Sequence, residues 1–129
     1  MTMADPGQRR PVFFNLLRIQ MPVGALTSIA HRVTGVLLAL AIPFGIYLLD
    51  LSLQNPQGYA RVSGWLHSFA FRVAAVLSIW ILTHHVLAGI RHLLSDVDIG
   101  SQLPAARRSA WIVNCGGIAV GLLAAVILL

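Results

Sequence analysis

Six side chains able to do chemistry are gathered at the ends and middle of two apolar stretches: Ser28, His31 and Arg32 in one, His84, His85 and His92 in the other. An imidazole can ligate a metal, move a proton or hydrogen-bond, and a hydroxyl beside a fixed cation can donate to a carbonyl or carboxylate. On a helix turning about 100° per residue, Ser78, His85, His92 and Asp96 fall in one narrow stripe with Gly89 beside it. His84 points elsewhere, nearer Arg91. A neutral imidazole with a glycine one turn away suits a flat apolar macrocycle, because the imidazole can ligate iron while glycine lets the ring approach the backbone. The same residues allow a plainer arrangement, in which His85 hydrogen-bonds to a neighbouring helix and Gly89 is a packing contact. Ser28, His31, Arg32 and Gly35 stand at i, i+3, i+4 and i+7 and share one helical face. Here too a second reading stays open, with Arg32 as a topology anchor snorkelling to the headgroups and Ser28 as a helix cap.

The elements that must position these groups are membrane spans. In 129 residues, 57% are apolar and only 10% charged, with a mean hydropathy of +0.80, far more than a soluble core of that size needs. The expected fold is all-α, a single membrane-anchor domain over 1–129 with an N-terminal segment 1–27 and transmembrane helices at about 29–53, 66–94 and 111–129. Pro43 in the first span is tolerated in lipid, where local adjustments satisfy the freed carbonyl. Gln54 to Gly58 reads as a turn closing that span, and Asp96 to Ala110 as the second loop. The second run exceeds one bilayer thickness, so it projects or tilts. His85 lies seven residues before His92, about 10 Å deeper on a helix.

All nine basic side chains are arginine, and the formal net charge is +5. They flank apolar runs instead of forming a stripe on a polar face, which argues for membrane orientation and against nucleic-acid binding. Arg9, Arg10, Arg18, Arg32, Arg91, Arg107 and Arg108 fall on one side of a three-span path, and only Arg61 and Arg72 on the other. The positive-inside rule then puts the N-terminus in the cytoplasm. Polar ends of the first and second spans, His31-Arg32 and Arg91-His92, therefore converge on one surface. Arg18 and Pro22 interrupt the stretch after Arg9-Arg10, so neither a cleaved leader nor a twin-arginine signal is expected. The single cysteine, Cys115, excludes an intrachain disulfide, a thiolate-held iron–sulfur cluster and covalent haem attachment.

The stretches P-V-G-A-L-T-S-I-A-H-R-V-T-G from Pro22 to Gly35 and H-V-L-A-G-I-R-H-L-L-S-D from His85 to Asp96, with Arg10-Pro11 before them, match in order and spacing the cytochrome b subunit of succinate dehydrogenases. The chain resembles that family over essentially its whole length. The resemblance implies an anchor that forms part of a heteromeric helix bundle in a bacterial inner membrane. It implies haem b shared with a second membrane subunit, with His85 as an axial ligand of the iron. It implies that Ser28 and Arg32 line a ubiquinone site, and that His31 and His92, with Arg32, surround the haem propionates. His84, one position off the motif, is left as a bystander. With no flavin or nicotinamide fingerprint and no thiol set, the chain is expected to work only as a subunit. The partners so implied are a flavoprotein subunit, an iron–sulfur subunit and a second small membrane anchor. Two alternatives remain at this stage: an anchor of a fumarate reductase using a low-potential quinol, and a structural membrane subunit without haem.

Overall fold

The computed structural model describes residues 20–129, so Arg9, Arg10, Arg18 and the greater part of segment 1–27 lie outside the described residues. Four helices follow in order: α1 (Val23–Gln54), α2 (Pro56–Leu66), α3 (Phe69–Asp96) and α4 (Leu103–Leu128). Helices α1, α3 and α4 are long and apolar enough to cross a membrane, and the all-α membrane fold expected of three spans is what forms. At 1.5 Å per residue, the 32 residues of α1 reach about 48 Å, well past the roughly 30 Å hydrocarbon layer. It runs unbroken through Pro43.

Two elements differ from the sequence expectation. The turn at Gln54 to Gly58 does close α1, with Asn55 extended at φ −168°, but Asn55 then opens a further short helix, its Oδ1 accepting from the Gly58 backbone N–H at 2.7 Å. Pro56 supplies the preset φ of a first helical turn, and α2 folds back on α1, where a side chain at Gly58 would strike the Leu51 carbonyl. The second loop is also shorter than expected, because α4 already begins at Leu103, with Pro104 in its first turn and Ala105 and Ala106 continuing it. Asp98 and Gly100, both in the left-handed region at φ 61° and 72°, make the turn that precedes it.

Helix α3 lies between α1 and α4, and α1 also touches α4. Among the described residues, the buried positions of the three long helices are mostly small or polar: Ala88, Ala110, Val113, Gly117, Ala124, Thr27, Thr34 and His84. Thr27 is the largest fully buried side chain. This is how helices pack in lipid, where hydrophobicity gives no drive for association and close backbone approach and interhelical hydrogen bonds must supply it. The large apolar side chains, among them Leu40, Ile42, Phe44, Leu122 and Val126, face outward.

Candidate functional site along the seam of α1 and α3

The convergence expected of His31 and His92 is present, and His85 joins it. The His31 ring stacks between the other two, 4.2 Å from His85 and 5.0 Å from His92 centroid to centroid. Small residues permit this. A Cβ at Gly35 would come within 3.0 Å of His85 Cε1, and one at Gly89 within 3.4 Å of His31 Nε2. Gly89 thus admits a close approach, as its place beside the histidine stripe implies, and what approaches it here is an imidazole of α1.

The hydrogen bonds of His85 decide its chemistry. Its Nδ1 faces the His31 carbonyl at 3.1 Å and Thr34 Oγ1 at 3.2 Å. The Thr34 hydroxyl proton is directed at the Ala30 and His31 carbonyls, each at 2.9 Å, so both neighbours of Nδ1 present acceptors. Nδ1 therefore carries the proton and Nε2 the lone pair. Nε2 makes no hydrogen bond among the described residues. An imidazole whose far nitrogen is held by a backbone carbonyl is the usual arrangement of a metal-ligating histidine. Among the described residues no three metal-binding side chains converge, and His92 Nδ1 turns back to the Ala88 carbonyl at 2.7 Å. The seam therefore offers one directed nitrogen, suited to a metal whose other ligands come from elsewhere.

Ser28 and Arg32 stand one turn apart on α1. Arg32 is exposed, and its guanidinium donates to no described residue. Ser28 is half-buried and its hydroxyl bonds to no described residue, although Thr27 and Thr34 on the same helix bond back to the carbonyls of Val23 and Ala30. Helical serines in apolar surroundings ordinarily make that back-bond, so the free hydroxyl of Ser28 is available to a ligand.

His84, left aside in the sequence reading, makes contacts which that reading did not foresee. It is 4% exposed, and its Nε2 donates to Asn114 Oδ1 on α4 at 3.2 Å. Asn114 Oδ1 also lies 3.2 Å from the Thr27 hydroxyl of α1, which shares its proton with the Val23 carbonyl at 2.9 Å. Gly117 lets α4 approach, since a Cβ there would meet His84 Cβ at 3.3 Å. The remaining nitrogen, Nδ1, is buried without a partner. As an unprotonated acceptor it is the less costly group to leave alone, which agrees with Nε2 carrying the proton. Nearer the same end, Arg91 Nε donates to Ser109 Oγ at 3.1 Å and its Nη2 to the Ala106 carbonyl at 3.4 Å. The signal for this second polar set was Asn114, an amide inside the third apolar run.

Comparison with known proteins shows the family. A family model described as succinate dehydrogenase/fumarate reductase transmembrane subunit matches residues 7–124. The succinate dehydrogenase cytochrome b556 subunit of Paracoccus denitrificans is 29% identical over 126 residues, covering 97% of each chain. That of Coxiella burnetii is 30% identical over 115 residues, covering 81% of this chain and 85% of its own. A succinate dehydrogenase hydrophobic membrane anchor subunit of Thermoplasma acidophilum is 24% identical over 84 residues, covering 64% and 68%. The chain belongs to the family of succinate dehydrogenase/fumarate reductase transmembrane subunits, among its cytochrome b membrane anchors.

Proposed function

We propose that the chain binds haem b and ubiquinone within a succinate dehydrogenase and passes electrons from an iron–sulfur subunit to the quinone. The observation that carries this reading is the state of His85: Nδ1 bound to the His31 carbonyl, which leaves Nε2 with the lone pair and, among the described residues, without a hydrogen bond. His85 Nε2 would hold the iron, with a further imidazole coming from a second small membrane subunit. Haem b, when bound, supplies a one-electron store beside the quinone. The His31 carbonyl and Thr34 hydroxyl raise the basicity of His85 and hold its ring in plane. His31 and His92, stacked toward the end of the seam, would face the propionates together with Arg32.

Ser28 and Arg32 would take the quinone. The free Ser28 hydroxyl donates to one quinone oxygen, and the Arg32 guanidinium favours the negative charge that builds on that oxygen as electrons arrive. Both are at the end of the bundle that the arginine distribution assigns to the cytoplasm, where an iron–sulfur subunit, with its flavoprotein, would dock on an anchor in a bacterial inner membrane. Reduction takes two electrons from the docked subunit and two protons from water at that surface. The test is a pyridine haemochrome spectrum of the purified complex together with its succinate:ubiquinone and fumarate:menaquinol turnover. A b-type spectrum with faster succinate:ubiquinone turnover is expected. A complex without haem overturns the reading in favour of a structural anchor, and faster fumarate:menaquinol turnover overturns the assigned direction.

A further inference from the structure

Helix α3 offers two consecutive imidazoles about 100° apart, so a rotation of the helix by about that angle would exchange the one facing α1. Close packing of the helices opposes this in part, with Ala88 fully buried and Gly121 and Gly116 of α4 set against Trp80 and Leu87. A polar chain linking all three spans adds a directional constraint: Thr27 of α1, Asn114 of α4 and His84 of α3 meet at Asn114 Oδ1, with both distances 3.2 Å. Gly117 brings α4 onto the root of His84, so the donor sits where only one rotation of α3 reaches the acceptor. With His84 held against α4, the next residue must turn toward α1 and meet Gly35 and the His31 carbonyl.

We propose that Asn114, with His84 and Thr27, is a positioning set that fixes the rotation of α3 and thereby aims His85 Nε2. The proposal rests on the reading of His85 as axial ligand and adds to it the residues of the opposite face. None of the three touches the iron-facing nitrogen. Their effect passes through the orientation of the His85 ring, which the low-spin electron paramagnetic resonance signal of an oxidised bis-imidazole haem reports directly.

The experiment compares the assembled complex with Asn114→Leu, His84→Leu, His84→Gln and Thr27→Val forms, all extracted from membranes. Haem in the parent complex is quantified first; its absence sinks the ligand assignment, whatever Asn114 does. With haem present, Asn114→Leu and His84→Leu should displace the low-field resonance and the midpoint potential, or lose haem while subunit levels stay at those of the parent. Thr27→Val should do so less. Glutamine at position 84 keeps a donor near the place of Nε2, so His84→Gln should restore the parent signal. Parent-like signals in both leucine variants would overturn the proposal. So would disappearance of the leucine variants from the membrane, which would make the set a requirement for folding alone, and so would a His84→Gln signal as displaced as that of His84→Leu.

Discussion

The two sides of α3 use the same residue types for opposite ends. Toward α1, the Nε2 of His85 and, beyond it, the side chains of Arg32 and Ser28 bond to no described residue. Toward α4, His84 donates to Asn114, and Arg91 is bound to Ser109 and the Ala106 carbonyl. A glycine brings the backbones together on each side, Gly35 against His85 and Gly117 against His84. In lipid a polar group without a partner is costly, so a helix can afford open groups on one side when polar contacts on the other hold it in place. Residue type alone does not distinguish a ligand from a strut; the partner of each nitrogen does.

Matched substitutions on the two sides put this contrast at risk. The largest difference is expected between the arginines. If Arg32 binds the quinone as proposed, Arg32→Leu removes a charge-assisted hydrogen bond of about 1.5–3 kcal/mol and should lower succinate:ubiquinone turnover roughly ten- to hundredfold while artificial-dye reduction by the soluble subunits survives. Arg91→Leu should instead lower both activities together, in step with the amount of complex in the membrane. Identical behaviour of the two variants would erase the distinction between the sides. A smaller effect is expected at the glycines. Gly35→Ala crowds His85 Cε1 at 3.0 Å, against 3.3 Å for Gly117→Ala at His84 Cβ. Overpacking of this kind costs about 1–3 kcal/mol, and Gly35→Ala should lower the temperature at which b-type absorption is lost more than Gly117→Ala does. The smallest is expected of Ser28→Ala, which deletes one neutral hydrogen bond of about 0.5–1.5 kcal/mol. It should lower quinone turnover by roughly two- to tenfold and leave the haem spectrum unmoved.

Much of the α1 side was legible in the sequence. Period and spacing put His31, Arg32 and Gly35 on one face and His85, Gly89 and His92 on another, and three apolar runs with a shared basic end brought the two faces together. The α4 side was not, because the contact of His84 with Asn114 spans 30 positions and depends on how α3 and α4 rotate, which hydropathy does not encode. Helix α2 was hidden for a local reason: Asn55-Pro56 ends one helix and begins the next with the same residues. The early start of α4 was hidden because Leu103 to Ala110 is helical yet too polar to read as a span, Arg107 and Arg108 included.

The most direct test of the distinction between the two histidines is chemical rescue. His85→Gly removes the imidazole and leaves a gap beside Gly35 that free imidazole can fill. The complex carrying this substitution should lose its low-spin b-type spectrum and regain it, in proportion to occupancy, when imidazole is added. An undiminished b-type spectrum in the His85→Gly complex before any imidazole is added would contradict His85 as the ligand.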